Sequence, residues 1–123
     1  MAMERTRLRH ARTAATAAGK PRLSRDLHQL HDHSEDATRL LKALANSNRL
    51  MILCLLFEGP RSVGELNELL PLSQSALSQH LAVLREEGLV STTRQAQEIH
   101  YRIASVQAQR VIETLHGIYC GSK

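Results

Sequence analysis

Residues 73–103 read S-Q-S-A-L-S-Q-H-L-A-V-L-R-E-E-G-L-V-S-T-T-R-Q-A-Q-E-I-H-Y-R-I. The first half predicts a short amphipathic helix, because Leu77, Leu81 and Leu84 recur at i, i+4 and i+7. Gly88 stops it. The second half predicts a β-hairpin over residues 89–93 and 98–103, since Ile99, Tyr101 and Ile103 alternate with His100 and Arg102. Residues 94–97 form its polar tip, with Arg94 on it. The outer face of the helix carries Gln74, Ser75, Ser78 and Gln79. A helix facing only water favours Glu and Lys there. Uncharged donors and acceptors at a helix start suit base edges in a DNA major groove instead.

Upstream, Ser62 and Glu65 have capping-box spacing, and Leu66, Leu69 and Leu70 give the helix they open an inner face. Pro71-Leu72 turns the chain and Ser73 caps the next helix. An earlier helix spans residues 47–58 and stops at Gly59-Pro60. Its centre, L-M-I-L-C-L-L-F, is apolar all round, which predicts full burial. A first helix covers residues 34–45, with Ser34 as cap and Ala37, Leu40, Leu41 and Leu44 as its stripe; part of residues 23–30 can extend it. Downstream, Ser105 caps a last helix bearing Val106, Val111, Ile112, Leu115, Ile118 and Tyr119. The expected fold is mainly α with a β-hairpin wing: four helices, two strands and a helix, a winged helix-turn-helix. In such a fold the N-terminal side chains of the second motif helix enter the major groove, and Arg94 on the wing can reach a minor groove or the flanking backbone.

The 123 residues suffice for one domain with a modest core. Residues 1–25 hold seven Lys and Arg against one acid, and Gly19-Lys20-Pro21 breaks any helix there, so a disordered basic arm is expected before a folded domain over residues 26–123. The rest holds nine Lys and Arg against eleven acids, so duplex DNA binding would rest on local placement rather than bulk charge. The arm can add salt-sensitive phosphate contacts. Three aromatic residues are too few for a platform that stacks single-stranded bases. No apolar run nears the ~18 residues that span a bilayer, and the Arg-rich start has no apolar signal core, so a cytoplasmic protein without membrane contact is expected. No phosphate loop, carboxylate pair or nucleophile–base motif points to an enzyme, and no cofactor is implied.

The run S-V-G-E-L-N-E-L-L-P-L-S-Q-S-A-L-S-Q-H-L-A-V-L-R-E-E-G-L-V, together with A-L-A-N-S-N-R-L-M-I-L before it, resembles the ArsR/SmtB family of bacterial winged-helix repressors across about residues 35–120. The resemblance implies a homodimer built from the first and last helices. It also implies a double-stranded operator with imperfect palindromy, contacts from Gln74, Ser75, Ser78 and Gln79, and release on sensing an inducer. His80, at the edge of that face, reads as structural.

Many members sense metals. One family metal site has two Cys where this chain has Glu65-Leu66-Asn67-Glu68-Leu69; another has Asp, His, His and Glu where it has Ser105, Gln107, Ile118 and Gly121. Neither ligand set is present. A separate cluster, His28, His31 and His33 with Asp32, offers ligands for a metal-responsive alternative, although surface histidines are the plainer reading, as for His116. A small interaction domain without DNA binding is the third possibility.

The two cysteines lie at Cys54, inside the apolar helix, and Cys120, at the end of the last. Cys54 alone reads as a small buried hydrophobe. With Cys120, its L-C-L-L context and the terminal Y-C resemble the persulfide- and oxidant-sensing branch of the family, the SqrR, BigR and HlyU type. That resemblance implies reactive sulfur species or oxidants as inducer and a Cys54–Cys120 disulfide or polysulfide bridge. Some branch members carry a further N-terminal Cys, which this chain lacks.

Overall fold

The computed structural model describes residues 24–121. In chain order they form α1 (Arg25–Asp32), α2 (Ser34–Leu44), α3 (Ser47–Phe57), β1 (Arg61–Ser62), α4 (Val63–Leu69), α5 (Gln74–Glu86), β2 (Val90–Gln95), β3 (Glu98–Ile103) and α6 (Val106–Tyr119). The chain divides into a unit reaching to Glu35 and a body from Asp36 onward. The winged helix-turn-helix architecture is as expected. The expected arm, residues 1–25, lies outside the described residues except for Ser24, which caps α1, and Arg25, which opens it.

Two elements were not anticipated. Residues 25–32 form a separate helix rather than an extension, because the helix breaks at His33. Ser34 is consequently the first helical residue of α2 and not its cap. The two-residue β1 adds a third strand, giving the order β1-β3-β2, all antiparallel. A strand that short has no alternation to read.

The other ends follow local chemistry. The Asn46 side chain accepts from the Arg49 N–H and caps α3. The α3 helix leaves α2 at a bend of 94°. Arg49 holds that corner, donating from Nε to the Ala43 carbonyl at 2.7 Å and from Nη2 to Lys42 at 3.2 Å. The Ser62–Glu65 capping box is complete, at 3.1 and 2.9 Å. Ser73 caps α5 and Ser105 caps α6, each by accepting a backbone N–H three residues on.

The core joins Ile52, Leu53 and Leu56 of α3, Leu66 and Leu70, the α5 stripe, Leu89, Val90, Ala108 and Ile112. Burial is narrower than the apolar patterns predicted. Met51 on α3 is 47% exposed, Leu41 on α2 59%, and Ile118 and Tyr119 on α6 63% and 81%. Leu69 also faces out, because α4 ends there and Leu70 takes the inward position. Among the described residues, no single helix is long and apolar enough to cross a membrane.

Candidate nucleic-acid interface and thiol pair

The α4–turn–α5 unit is locked from both sides. Leu66 anchors α4 with no exposed surface. Asn67 Nδ2 donates to the Leu72 carbonyl at 3.3 Å, tying α4 to the end of the turn. Leu77, Leu81 and Leu84 are 0–2% exposed, so rotation of α5 is set by its inner stripe. Gln74, Ser75, Ser78 and Gln79 are therefore turned outward together, and all four are exposed. The first turn of α5 has no acid to oppose a phosphate. His80 is half-buried at the edge of this face.

The wing is longer and tighter than predicted. Its strands pair down to Gln95–Glu98, so only Ala96 and Gln97 form the turn. Ala96 takes φ 55°, the positive sign that a two-residue hairpin turn requires. Arg94 is thus not at the tip. It sits one pair below, opposite Ile99, and is exposed.

One exposed cation on this side escaped the sequence reading. Ser78, Ala82 and Arg85 follow one another along α5 and, with Glu86 and Tyr101 of β3, line an open cleft of ≈ 430 Å³ between the helix and the wing. The spacing of four and then three residues from Ser78 was the available signal.

The thiols occupy different settings. Cys54 is half-buried against the core and Cys120, the C-cap of α6, is exposed; both are free. The helices that carry them pack together. The Phe57 ring lies 6.0 Å from that of His116, one turn beyond Cys54 on α3 and one turn before Cys120 on α6. Burial raises the Cys54 thiol above its ordinary pKa, and the charges of Cys120 and of Glu58 push it further the same way. The Phe57–His116 contact brings together the stretches of α3 and α6 that carry the two thiols.

His28, His31 and His33 are all exposed. Among the described residues no group of three or more His, Cys, Asp and Glu side chains is gathered to hold a metal.

Residues 46–92 match the family model described as bacterial regulatory protein, arsR family. The transcriptional activator HlyU of Vibrio cholerae is 50% identical over 95 residues, covering 77% of this chain and 88% of the relative. The structure of reduced HlyU from Vibrio cholerae superposes with a TM-score of 0.72, covering 76% of this chain and 98% of that one. The structure of the transcriptional repressor BigR from Xylella fastidiosa is 37% identical with a TM-score of 0.72, covering 81% and 100%. A homodimeric winged helix-turn-helix domain, Mb0332 from Mycobacterium bovis, is 31% identical with a TM-score of 0.62, covering 78% and 86%.

Proposed function

The chain belongs to the arsR family of bacterial regulatory proteins, a family of transcription regulators rather than enzymes, and we propose that it is an operator-binding repressor released when Cys54 and Cys120 are joined. The likeness to the transcriptional activator HlyU makes activation the second reading; repression is supported by the likeness to the transcriptional repressor BigR. It also suits a protein that can block a promoter simply by occupying it. The reading face is Gln74, Ser75, Ser78 and Gln79, with Arg94 on the flanking backbone. A second copy of the chain covers Leu41, Met51, Ile118 and Tyr119, supported by their exposure and by the homodimeric Mb0332 domain. Two reading helices then meet two half-sites of a palindrome.

The packing of the two cysteine-bearing helices, with the Phe57 and His116 rings 6.0 Å apart about one turn from each thiol, carries the sensing half of the proposal. Cys120 reacts first, since it is exposed and Cys54 is half-buried with a raised pKa. The Cys120 thiolate takes the outer sulfur of a low-molecular-weight persulfide, releasing the parent thiol and leaving Cys120 persulfidated. Cys54 then attacks Sγ of Cys120, expelling the outer sulfur as hydrogen sulfide and closing a disulfide; a further persulfide can insert its outer sulfur, releasing its parent thiol and extending the link to a polysulfide. With a peroxide, Cys120 becomes a sulfenic acid with release of water or alcohol, and Cys54 displaces water to give the same disulfide. Both routes consume two thiols and one oxidant. In the reducing cytoplasm both thiols otherwise stay free. A bridge across 66 residues is worth roughly 4 kcal/mol on the chain-entropy model. Only its difference between DNA-competent and incompetent states drives release.

The test is a gel-shift titration of reduced protein before and after persulfide or peroxide, with intact-mass analysis alongside. Treatment should abolish the shift and change the mass by the loss of two hydrogens, or by added sulfur. Cys54→Ser and Cys120→Ser should each bind DNA and ignore the treatment. A Cys54→Ser protein that still responds would sink the bridge. Gln74→Ala with Ser78→Ala that keeps full affinity would remove the reading face.

A further inference from the structure

The C-terminal end of α5 carries two carboxylates that its own electrostatics disfavour. A helix C-terminus carries partial negative charge and disfavours carboxylates, yet α5 closes on Glu86 and Glu87, with Glu87 as its C-cap. The end is nonetheless tight. Gly88, at φ 76°, donates to Arg85 at 3.0 Å and Leu89 donates to Leu84 at 2.9 Å. Arg85 in the last turn offsets part of this, and a second cation comes from 48 residues earlier: Arg39 Nη2 lies 3.0 Å from Glu87 Oε1.

Arg39 sits in the middle of α2. The C-terminal end of that helix is held firmly, with Ala43 and Leu44 buried and Arg49 bonded to the carbonyls of Lys42 and Ala43. One turn earlier the hold weakens: Leu40 is half-buried and Leu41 is 59% exposed. At that level Arg39 ties α2 to the end of α5. Apolar burial is non-directional, so the Leu77–Leu81–Leu84 stripe fixes which side of α5 faces in more firmly than it fixes the tilt of the helix. A charge-assisted hydrogen bond at one end constrains that tilt.

We propose that Arg39 and Glu87 are a positioning pair for operator reading: their ion pair pins the far end of α5 to α2 and so aims Gln74, Ser75, Ser78 and Gln79 at the bases. This rests on the DNA-reading assignment above. Arg39 is 67% exposed and Glu87 30%, so the pair is screened by solvent on the arginine side and adds little to global stability. Its effect belongs in specific affinity.

The decisive variant is Glu87→Gln. Removing an acid from a DNA-binding protein strengthens duplex binding by bulk charge alone, whereas loss of aim weakens it, so the two accounts differ in sign. The full chain is kept reduced, and its dissociation constant is measured for a duplex selected by wild-type protein from a random library and for a scrambled duplex. Glu87→Gln should bind the selected duplex about three- to tenfold more weakly and the scrambled one no more weakly. Arg39→Gln should lose selected-duplex affinity similarly, the reversed pair Arg39→Glu with Glu87→Arg should regain it, and all should melt with wild type. Glu87→Gln binding the selected duplex as tightly as wild type, or a reversed pair that regains nothing, overturns the pair's role. Wild-type protein that enriches no duplex overturns the reading assignment itself, before any variant is made.

Discussion

At the scale of single residues, the two thiols differ more than their sequence contexts suggest. Cys54 sits among apolar neighbours, and the chain shows no charge beside it except Glu58 a turn later. In the fold, burial, Cys120 and that carboxylate all favour its protonated form. Iodoacetamide should therefore modify Cys120 well before Cys54 at neutral pH, and Cys54 should follow only as pH rises above the ordinary thiol range; mass spectrometry of timed samples reads this directly. Equal rates at pH 7 would contradict the assignment of Cys120 as first to react. The same shift has a stability consequence. Because the folded pKa exceeds the unfolded one, Cys54 contributes stability that is whole below the unfolded pKa and lost as pH rises through the folded value. Cys54→Ala should accordingly flatten the alkaline part of the melting profile.

At the scale of elements, turn chemistry and caps decide where helices and strands stop. Ser62, Ser73 and Ser105 were legible because each precedes an apolar period at cap spacing, and each caps as expected. The hairpin turn was misplaced because its positive-φ position holds Ala96 and not Gly or Asn. Ala96→Gly should thus stabilise the protein by about 1 kcal/mol in chemical denaturation, by relieving that conformation. The seating of α5 depends on its buried stripe: Leu77, with no exposed surface, should cost ~2–5 kcal/mol on truncation to Ala, measured the same way. A loss below 1 kcal/mol would mean that α5 is not seated as described.

At the scale of the whole molecule, the exposed apolar side chains need a partner. Leu41, Met51, Ile118 and Tyr119 are all at least 47% exposed, although their sequence patterns predicted burial. The proposed dimer resolves this, since a second copy completes the burial that periodicity foretold. Ile118→Glu with Tyr119→Glu should turn a dimer into a folded monomer by analytical ultracentrifugation, and should weaken operator binding far more than binding of one half-site. A variant that stays dimeric would move the interface elsewhere. On the proposed function the net acidity of residues 26–123 sharpens this dependence, because operator binding would then rely on two aligned α5 helices rather than on diffuse attraction.

Local order along this chain was determined by its sequence: the period of α5, the capping box of α4, the alternation of β3 and the uncharged outer face of α5 all follow from neighbours within about seven residues. Those interactions act at short range, so short windows reveal them. The tertiary structure decided what depends on residues far apart. It packed the helix of Cys120 against that of Cys54, paired Arg39 with Glu87, added β1 to the edge of β3, and left one side of α2, α3 and α6 uncovered. Periodicity states that a face is apolar; it cannot state which surface will cover it, because the hydrophobic effect rewards area removed from water and not the identity of the partner.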